Sequence, residues 1–212
     1  MRELGARVVL AGRDFDAAKD AARAHAATHP GARFIEDGHE PAIAEGAGTI
    51  ALELDRWPEP IDVALVPLGN GALLAGVGLW LKAHRPSTRV VGVCAAGAPA
   101  MAESWREGRP VAAGAADTIA DGIAVRVPVP AALDDLRGVM DEVLLVDDAA
   151  IVAAMRLLFD ALGIVVEPAG AVGVAAALAH EARFAGQLAA TPLCGGNLTA
   201  EQVRRWLTAA AH

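Results

Sequence analysis

Short apolar runs bounded by charged residues, glycine or proline alternate along this chain with longer segments whose apolar positions recur at helical spacing. The clearest run, Val63-Ala64-Leu65-Val66, lies between Asp62 and Pro67 and predicts a buried strand. It breaks into the turn Gly69-Asn70-Gly71, after which the pattern predicts a helix over 72–83. Upstream, it predicts a short strand over 7–11, a helix from Asp14 to about Thr28 stopped by Pro30-Gly31, and a second short strand over 33–35. A polar loop over 36–40 leads to a helix opened by Pro41 and running toward Trp57, with the glycine-rich stretch Gly46-Ala47-Gly48 inside it. Downstream come a strand over 89–94, a helix over 99–107 and a long Gly/Ala/Pro-rich loop over 109–129 with a polar insert, Asp117 to Gly122. Loops of that length in compact domains usually serve function. A strand over 141–146 follows, then a helix capped by Asp147-Asp148 and reaching Leu162. Val165-Val166 is extended, Pro168 opens an apolar helix to about His180, 190–193 is a last strand, and Thr199 caps a closing helix.

Strands and helices in alternation predict an α/β fold: a three-layer, open, mostly parallel sheet with helices on both faces. No repeat and no linker-like segment interrupts it. The opening Met1-Arg2-Glu3-Leu4-Gly5 reads as the last turn of a helix with its glycine cap, so the fold is expected to be incomplete at the N-terminus.

Hydrophobic residues make up 54% of the 212 and charged residues 21%, enough apolar surface for a packed core and too much for disorder. The net charge of −8 argues against a nucleic-acid partner, whose binding rests on neutralising phosphates. Two cysteines, Cys94 and Cys194, make no disulfide framework. Arg2, Glu3 and Arg7 interrupt any apolar leader, and the most apolar late stretch, 161–179, carries Glu167-Pro168 in its middle. The expectation is a cytoplasmic protein that does not engage a membrane.

Candidate chemistry begins at the turn after the first clear strand. Gly69 and Gly71 permit the backbone conformations that turn N–H groups toward one point. The helix behind them leaves its first N–H groups unpaired and places a partial positive charge there. Strand, glycine turn and helix start together make an anion site, best suited to phosphate, with a plain tight turn as the alternative. The dinucleotide fingerprint fails because its third glycine would fall at Leu74, and the Walker A loop fails because Val77-Gly78 follow Gly76. A second turn, Cys194-Gly195-Gly196-Asn197, follows the last strand, where open α/β sheets bind ligands, although an ordinary Gly-Gly turn reads the same way. Glu167, between Val166 and Pro168, is either paired or in a cleft, or else an exposed carboxylate at a helix start. His25, His29, His39, His84, His180 and His212 show no metal-ligand spacing, and neither Ser87 nor Ser104 sits in a nucleophile elbow.

Three separated motifs occur in the order found in threonine/serine dehydratases, pyridoxal-phosphate enzymes of fold type II, which the chain resembles over nearly its whole length. They are Pro67-Leu68-Gly69-Asn70-Gly71-Ala72-Leu73, Glu167-Pro168-Ala169-Gly170-Ala171 and Leu193-Cys194-Gly195-Gly196-Asn197. Gly46-Ala47-Gly48-Thr49-Ile50, Gly97-Ala98-Pro99-Ala100-Met101 and Thr118 to Val125 add to the likeness. The resemblance implies that Gly69, Asn70, Gly71, Ala72 and Leu73 hold the phosphate of pyridoxal 5'-phosphate through backbone amides. It implies that Cys194, with Gly195 behind it, partners the pyridine nitrogen, and that Glu167 lies near the cofactor ring. A neutral partner at the nitrogen suits β-elimination, because it leaves the ring a weaker electron sink than a carboxylate would.

The same resemblance implies a remnant of the small N-terminal α/β domain over 1–37 and a large cofactor-binding α/β domain over 38–212. The activity implied is deamination of L-threonine or L-serine to a 2-oxo acid and ammonia, by a homo-oligomer, a dimer, acting on a small amino acid. Some relatives bind a divalent cation through acids at the positions of Cys94 and Ala100; neither acid is present, so no metal is expected. The family's Schiff-base lysine lies in a motif upstream of everything here, and Lys19 and Lys82 are the only lysines. The chain therefore resembles the C-terminal two-thirds of a short dehydratase with no catalytic residue of its own. Weak cofactor binding and inactivity in isolation are expected unless a separate N-terminal segment supplies the lysine. The alternative is a non-catalytic subunit that binds pyridoxal phosphate or phosphate.

Overall fold

The computed structural model describes residues 1–208, which fall into two compact units, Met1–Glu36 and the chain from Asp37 onward. In the first unit a short 3-10 turn, Arg2–Leu4, ends at Gly5 with φ 83°, the helix-end-and-cap arrangement expected of Met1 to Gly5. Helix α1 (Phe15–Thr28) starts where Asp14 accepts a hydrogen bond from the Ala17 N–H at 2.8 Å. Its polar face is tied by Lys19 to Asp16 (3.2 Å) and by Arg23 to Glu36 (2.8 Å). The strands expected over 7–11 and 33–35 do not form: both stretches lack regular structure and join no ladder, and Val9 and Leu10 stand 67% and 87% exposed. A strand is stable only with a partner and a covered face, and these short stretches have neither.

The second unit is built on four parallel strands in the order β3-β2-β1-β4, namely β1 (Val63–Pro67), β2 (Arg89–Ala95), β3 (Glu142–Val146) and β4 (Ala189–Ala190). Side chains alternate between faces along a strand, and here both faces are covered. Val63 and Leu65 enter one core with Ile151, Met155 and Val172; Ala64 and Val66 enter the other with Leu74, Val77 and Leu81. Each large side chain buried this way contributes about 1.5–3 kcal/mol. Helices α6 (Asp148–Leu162) and α7 (Pro168–Ala179) cover the first face. Helices α2 (Pro41–Leu54) and α3 (Ala72–His84) lie on the second, with α4 (Ala100–Glu107) and α5 (Pro130–Leu136) beside them. This is the layered α/β architecture the alternation predicts.

One glycine of α2, Gly48, finds its reason in a partner helix. At Gly76 of α3 an added Cβ would run into the Ala44 carbonyl oxygen and stand 2.7 Å from the Gly48 nitrogen, so α2 and α3 cross backbone to backbone. Helix α5 was not expected; Pro130 at its first position and the inward set Ala132, Leu133 and Leu136 were its only signals. Strand β4 is shorter than the expected 190–193, because Pro192 has no N–H to continue a ladder. Helix α8 (Glu181–Phe184) precedes it, and Thr199 caps α9 (Ala200–Val203) in a complete capping box with Gln202.

Candidate functional site

The sheet reverses its order at β1. From β1 the chain moves outward through β2 and β3, then returns to place β4 on the opposite side, with Ala64 beside Ala190. The C-terminal ends of β1 and β4 therefore flank a crevice at a topological switch point, the usual ligand position in open α/β sheets.

After β1, Leu68 keeps one bond to the sheet, its N–H donating to the Val93 carbonyl at 2.9 Å. The chain then turns through Gly69-Asn70-Gly71, where Gly71 is the N-cap of α3 at φ 99°. An L side chain rarely adopts that conformation, so glycine is required there. No side chain caps α3, which leaves the first N–H groups of the helix facing the crevice end of the sheet.

Across the crevice, Glu167 is the N-cap of α7, yet its carboxylate does not cap the helix. It spans to the turn after β4, accepting from the Asn197 N–H at 3.2 Å, while the Glu167 N–H donates to the Gly195 carbonyl at 3.1 Å. Gly195 lies against the Glu167 carboxylate at φ 79°, with no room for a Cβ. Of the two sequence readings of Glu167, the structure holds the paired one.

These turns enclose a cavity of about 180 Å³ lined by Gly69, Asn70, Gly71, Ala72, Leu73, Glu167, Cys194 and Gly195. All eight candidate binding residues, from three separated stretches, thus meet at one place. Asp37, Pro67, Gly122, Ile123 and Ala169 complete the wall. The polar insert of the long loop supplied a signal for Gly122 and Ile123; nothing in the sequence singled out Asp37. Whole-ligand pockets usually reach about 300 Å³ or more, so this cavity encloses part of a ligand and leaves the rest open. Larger and mostly apolar grooves of about 450 and 590 Å³ lie between α2 and α3 and between α2 and β4, away from these groups.

The wall carries two carboxylates, Asp37 and Glu167, and no lysine, arginine or histidine. What favours an anion there is the set of backbone N–H groups at the start of α3. Asn70 is 3% exposed, and its Oδ1 is buried with no hydrogen-bond partner. Burial pushes the Cys194 thiol up; a backbone hydrogen bond at Cys194 draws it partly back, and the Glu167 carboxylate adds to the rise. Cys194 is therefore a neutral thiol at neutral pH. Cys94 is wholly buried in β2, donates to the Leu68 carbonyl at 3.4 Å, and burial takes its pKa up to about 12. Among the described residues no group of three His, Cys, Asp or Glu is placed to hold a metal ion, and His212 lies outside them.

Lys82 does not line the cavity. Lys82 pairs with Asp141 at 2.6 Å and donates to the Thr88 carbonyl at 3.1 Å. It sits about 15 Å along α3 from the glycine turn, at 1.5 Å per residue. Lys19 is fixed within the first unit between Asp16 and Glu36. Among the described residues no helix is long and apolar enough to cross a membrane.

A parallel α/β sheet with a glycine turn, a helix start and a neutral thiol at its switch point is a layout found in anion- and cofactor-binding α/β proteins. Comparison with known proteins narrows the class. Residues 1–195 match the pyridoxal-phosphate dependent enzyme family. The chain is 36% identical over 205 residues to an L-threonine ammonia-lyase of Thermotoga maritima, covering 96% of this chain and 50% of that protein. An L-threonine ammonia-lyase of Geobacter sulfurreducens is 37% identical over 203 residues, with 95% and 50% covered. Among solved structures, the processed form of threonine deaminase isoform 2 from Solanum lycopersicum superposes with a TM-score of 0.88 at 30% identity, covering 96% of this chain and 56% of that one. A maize serine racemase gives 0.85 at 30% identity, with 96% and 63% covered. The chain belongs to the pyridoxal-phosphate dependent enzyme family and has the fold of its fold type II members. It spans about half the length of the curated relatives it matches.

Proposed function

We propose that this chain forms the cofactor-binding part of a pyridoxal-phosphate enzyme that deaminates L-threonine or L-serine by α,β-elimination. The observation that carries this reading is the convergence of Gly69 to Leu73, Glu167 and Cys194-Gly195 on one cavity at the switch point. The groups present suit the cofactor: an uncapped helix start for its phosphate, an unpartnered buried amide beside it, and a neutral thiol for its ring nitrogen. The domain reading goes with it, with 1–37 as a remnant of the small α/β domain and 38–212 as the large cofactor-binding domain of a cytoplasmic homodimer.

Within that reading, the N–H groups of Gly71, Ala72 and Leu73 hold the phosphate. Three or four charge-assisted hydrogen bonds, at about 1.5–3 kcal/mol each, offset an immobilisation cost of about 4 kcal/mol or more. Cys194 keeps its proton and offers it to the ring nitrogen without transferring it, because burial and Glu167 both disfavour the thiolate. Glu167 fixes the loop that carries Cys194 through the Asn197 N–H. Pyridoxal phosphate, when bound, supplies the electron sink for breaking the substrate's Cα–H bond. Loss of that proton and of the β-hydroxyl as water, followed by hydrolysis of the amino-bearing carbon, turns threonine into 2-oxobutanoate and ammonia, and serine into pyruvate and ammonia.

The lysine that carries the cofactor comes from a segment this chain does not contain, either on a longer polypeptide or on a separate one. In isolation the chain is inactive. Supplying a lysine-bearing upstream segment by fusion or in trans restores ammonia release from threonine or serine; a folded, reconstituted protein inactive on every small hydroxy-amino acid overturns the reading. A second reading, a non-catalytic subunit that binds pyridoxal phosphate or phosphate, is favoured by the engagement of Lys82 with Asp141 away from the cavity and of Lys19 with Asp16 within the first unit. Borohydride reduction with pyridoxal phosphate followed by peptide mapping separates the two lysines from both readings, since stoichiometric label on either would mark a relocated site.

A further inference from the structure

Three buried side-chain polar atoms lack a hydrogen-bond partner among the described residues: Asn70 Oδ1, Trp80 Nε1 and Thr191 Oγ1. Trp80 belongs to the groove between α2 and α3, and Thr191 to the groove beside β4. Asn70 alone lines the cavity at the switch point, between Gly69 and Gly71, and it is 97% buried. An amide closed off from water with an unmet end is a costly arrangement that native folds rarely leave without a purpose. Nothing about the turn itself demands it, because Gly71 supplies the positive φ.

We propose that the Asn70 carboxamide is a direct phosphate ligand, adding a side-chain donor to the backbone cradle of Gly71, Ala72 and Leu73. The inference rests on the phosphate-site reading above and extends it to a residue whose backbone alone that reading uses. The chemistry follows from the wall of the cavity. A phosphomonoester presents three strong acceptor oxygens and close to two negative charges at neutral pH. No lysine, arginine or histidine lines the site, so every donor must be a neutral N–H or O–H. A half-turn about the terminal side-chain torsion exchanges Oδ1 and Nδ2 in nearly the same volume. The amide can thereby present its –NH2 end as a donor at the wall of the cavity. The ligand class is thus a phosphomonoester held with no cationic side chain, and Asn70 is its one side-chain amide.

The test titrates inorganic phosphate and pyridoxal phosphate separately into the full chain and its variants by calorimetry, with thermal unfolding of the free proteins as the check on folding. Asn70→Gly keeps all the backbone donors and removes the amide. It is expected to weaken both ligands by about tenfold or more, the loss expected for one hydrogen bond to a charged group, and by the same factor for each. Asn70→Asp has nearly the same shape and tolerates the site if Gly does not; its carboxylate is expected to abolish binding of both ligands. Binding by either folded variant at the wild-type level overturns the proposal, as does a loss confined to pyridoxal phosphate, which would place the contact on the ring. Wild-type protein that binds neither ligand overturns the phosphate site itself, and with it the whole reading of the cavity.

Discussion

Cys94 and Cys194 are both held neutral by burial, with different consequences. Cys94 has no route to solvent and a folded-state pKa of about 12, against an ordinary value of 9.0. Its proton is therefore retained on folding where the unfolded chain would lose it. The associated stability is present in full below pH 9 and is lost as pH climbs toward 12, at about 1.4 kcal/mol per pH unit. Urea unfolding between pH 8 and 11 should show that slope in the wild type and a slope shallower by one proton in Cys94→Ser; parallel slopes would count against it. Cys194 lines the cavity, so disulfide reagents should modify it slowly at neutral pH, Cys94 hardly at all, and saturating pyridoxal phosphate should protect Cys194. Gly71 is limited by its backbone: an added Cβ would stand 3.5 Å from that of Ala132, an ordinary contact, while φ 99° remains unfavourable for any L residue. Gly71→Ala should cost about 1–2 kcal/mol of stability, measured by urea unfolding, and weaken phosphate binding beyond that, because the strained turn re-aims its N–H groups.

At the scale of elements, local capping and the layered core are separable. Helix α6 begins with the exposed Asp147 accepting from the Ala150 N–H at 2.8 Å. Asp147→Ala should cost about 1 kcal/mol in urea unfolding, and Asp147→Asn should restore most of it; equal losses in both would point to charge and not to the cap. Such caps were legible because their chemistry is local. So were β1, β2 and β3, whose apolar runs are buried on both faces, and the helices α2, α3, α6 and α7 between them. What escaped depends on partners far along the chain. The stretches 7–11 and 33–35 have strand-like composition, but a ladder needs a neighbour that composition cannot reveal. Helix α5 is short and hides in a Pro/Ala-rich run, and Pro192 ends β4 early. The candidate site was legible where its residues are glycines, cysteine or a carboxylate at element ends. Asp37 reaches the cavity only through the packing of its segment, which leaves no local mark.

For the whole molecule, β4 stands at the end of the sheet order, paired with β1 on one side and with no strand on the other among the described residues. Natural sheets protect such edges with charge, proline or a covering element, because free N–H and C=O groups template pairing with another chain. Here the edge strand is two alanines, Ala189 exposed and Ala190 partly so, beside a groove of about 590 Å³ that includes Ile50, Leu54 and Trp57 of the α2 side. Trp57 is 52% exposed there, and in the first unit Leu4 and Leu10 stand 90% and 87% exposed. Apolar surface and an open edge on one molecule favour self-association, so a second copy of this chain should occupy the β4 edge at micromolar concentration. Light scattering across a dilution series should give a mass above that of one chain, falling on dilution. Ala189→Lys places a charge on the edge without touching either core, and should shift the series toward the monomer while leaving phosphate binding unchanged. A monodisperse monomer that melts cooperatively at every concentration would show that the edge is already satisfied, and would favour a self-sufficient phosphate-binding subunit over part of a larger assembly.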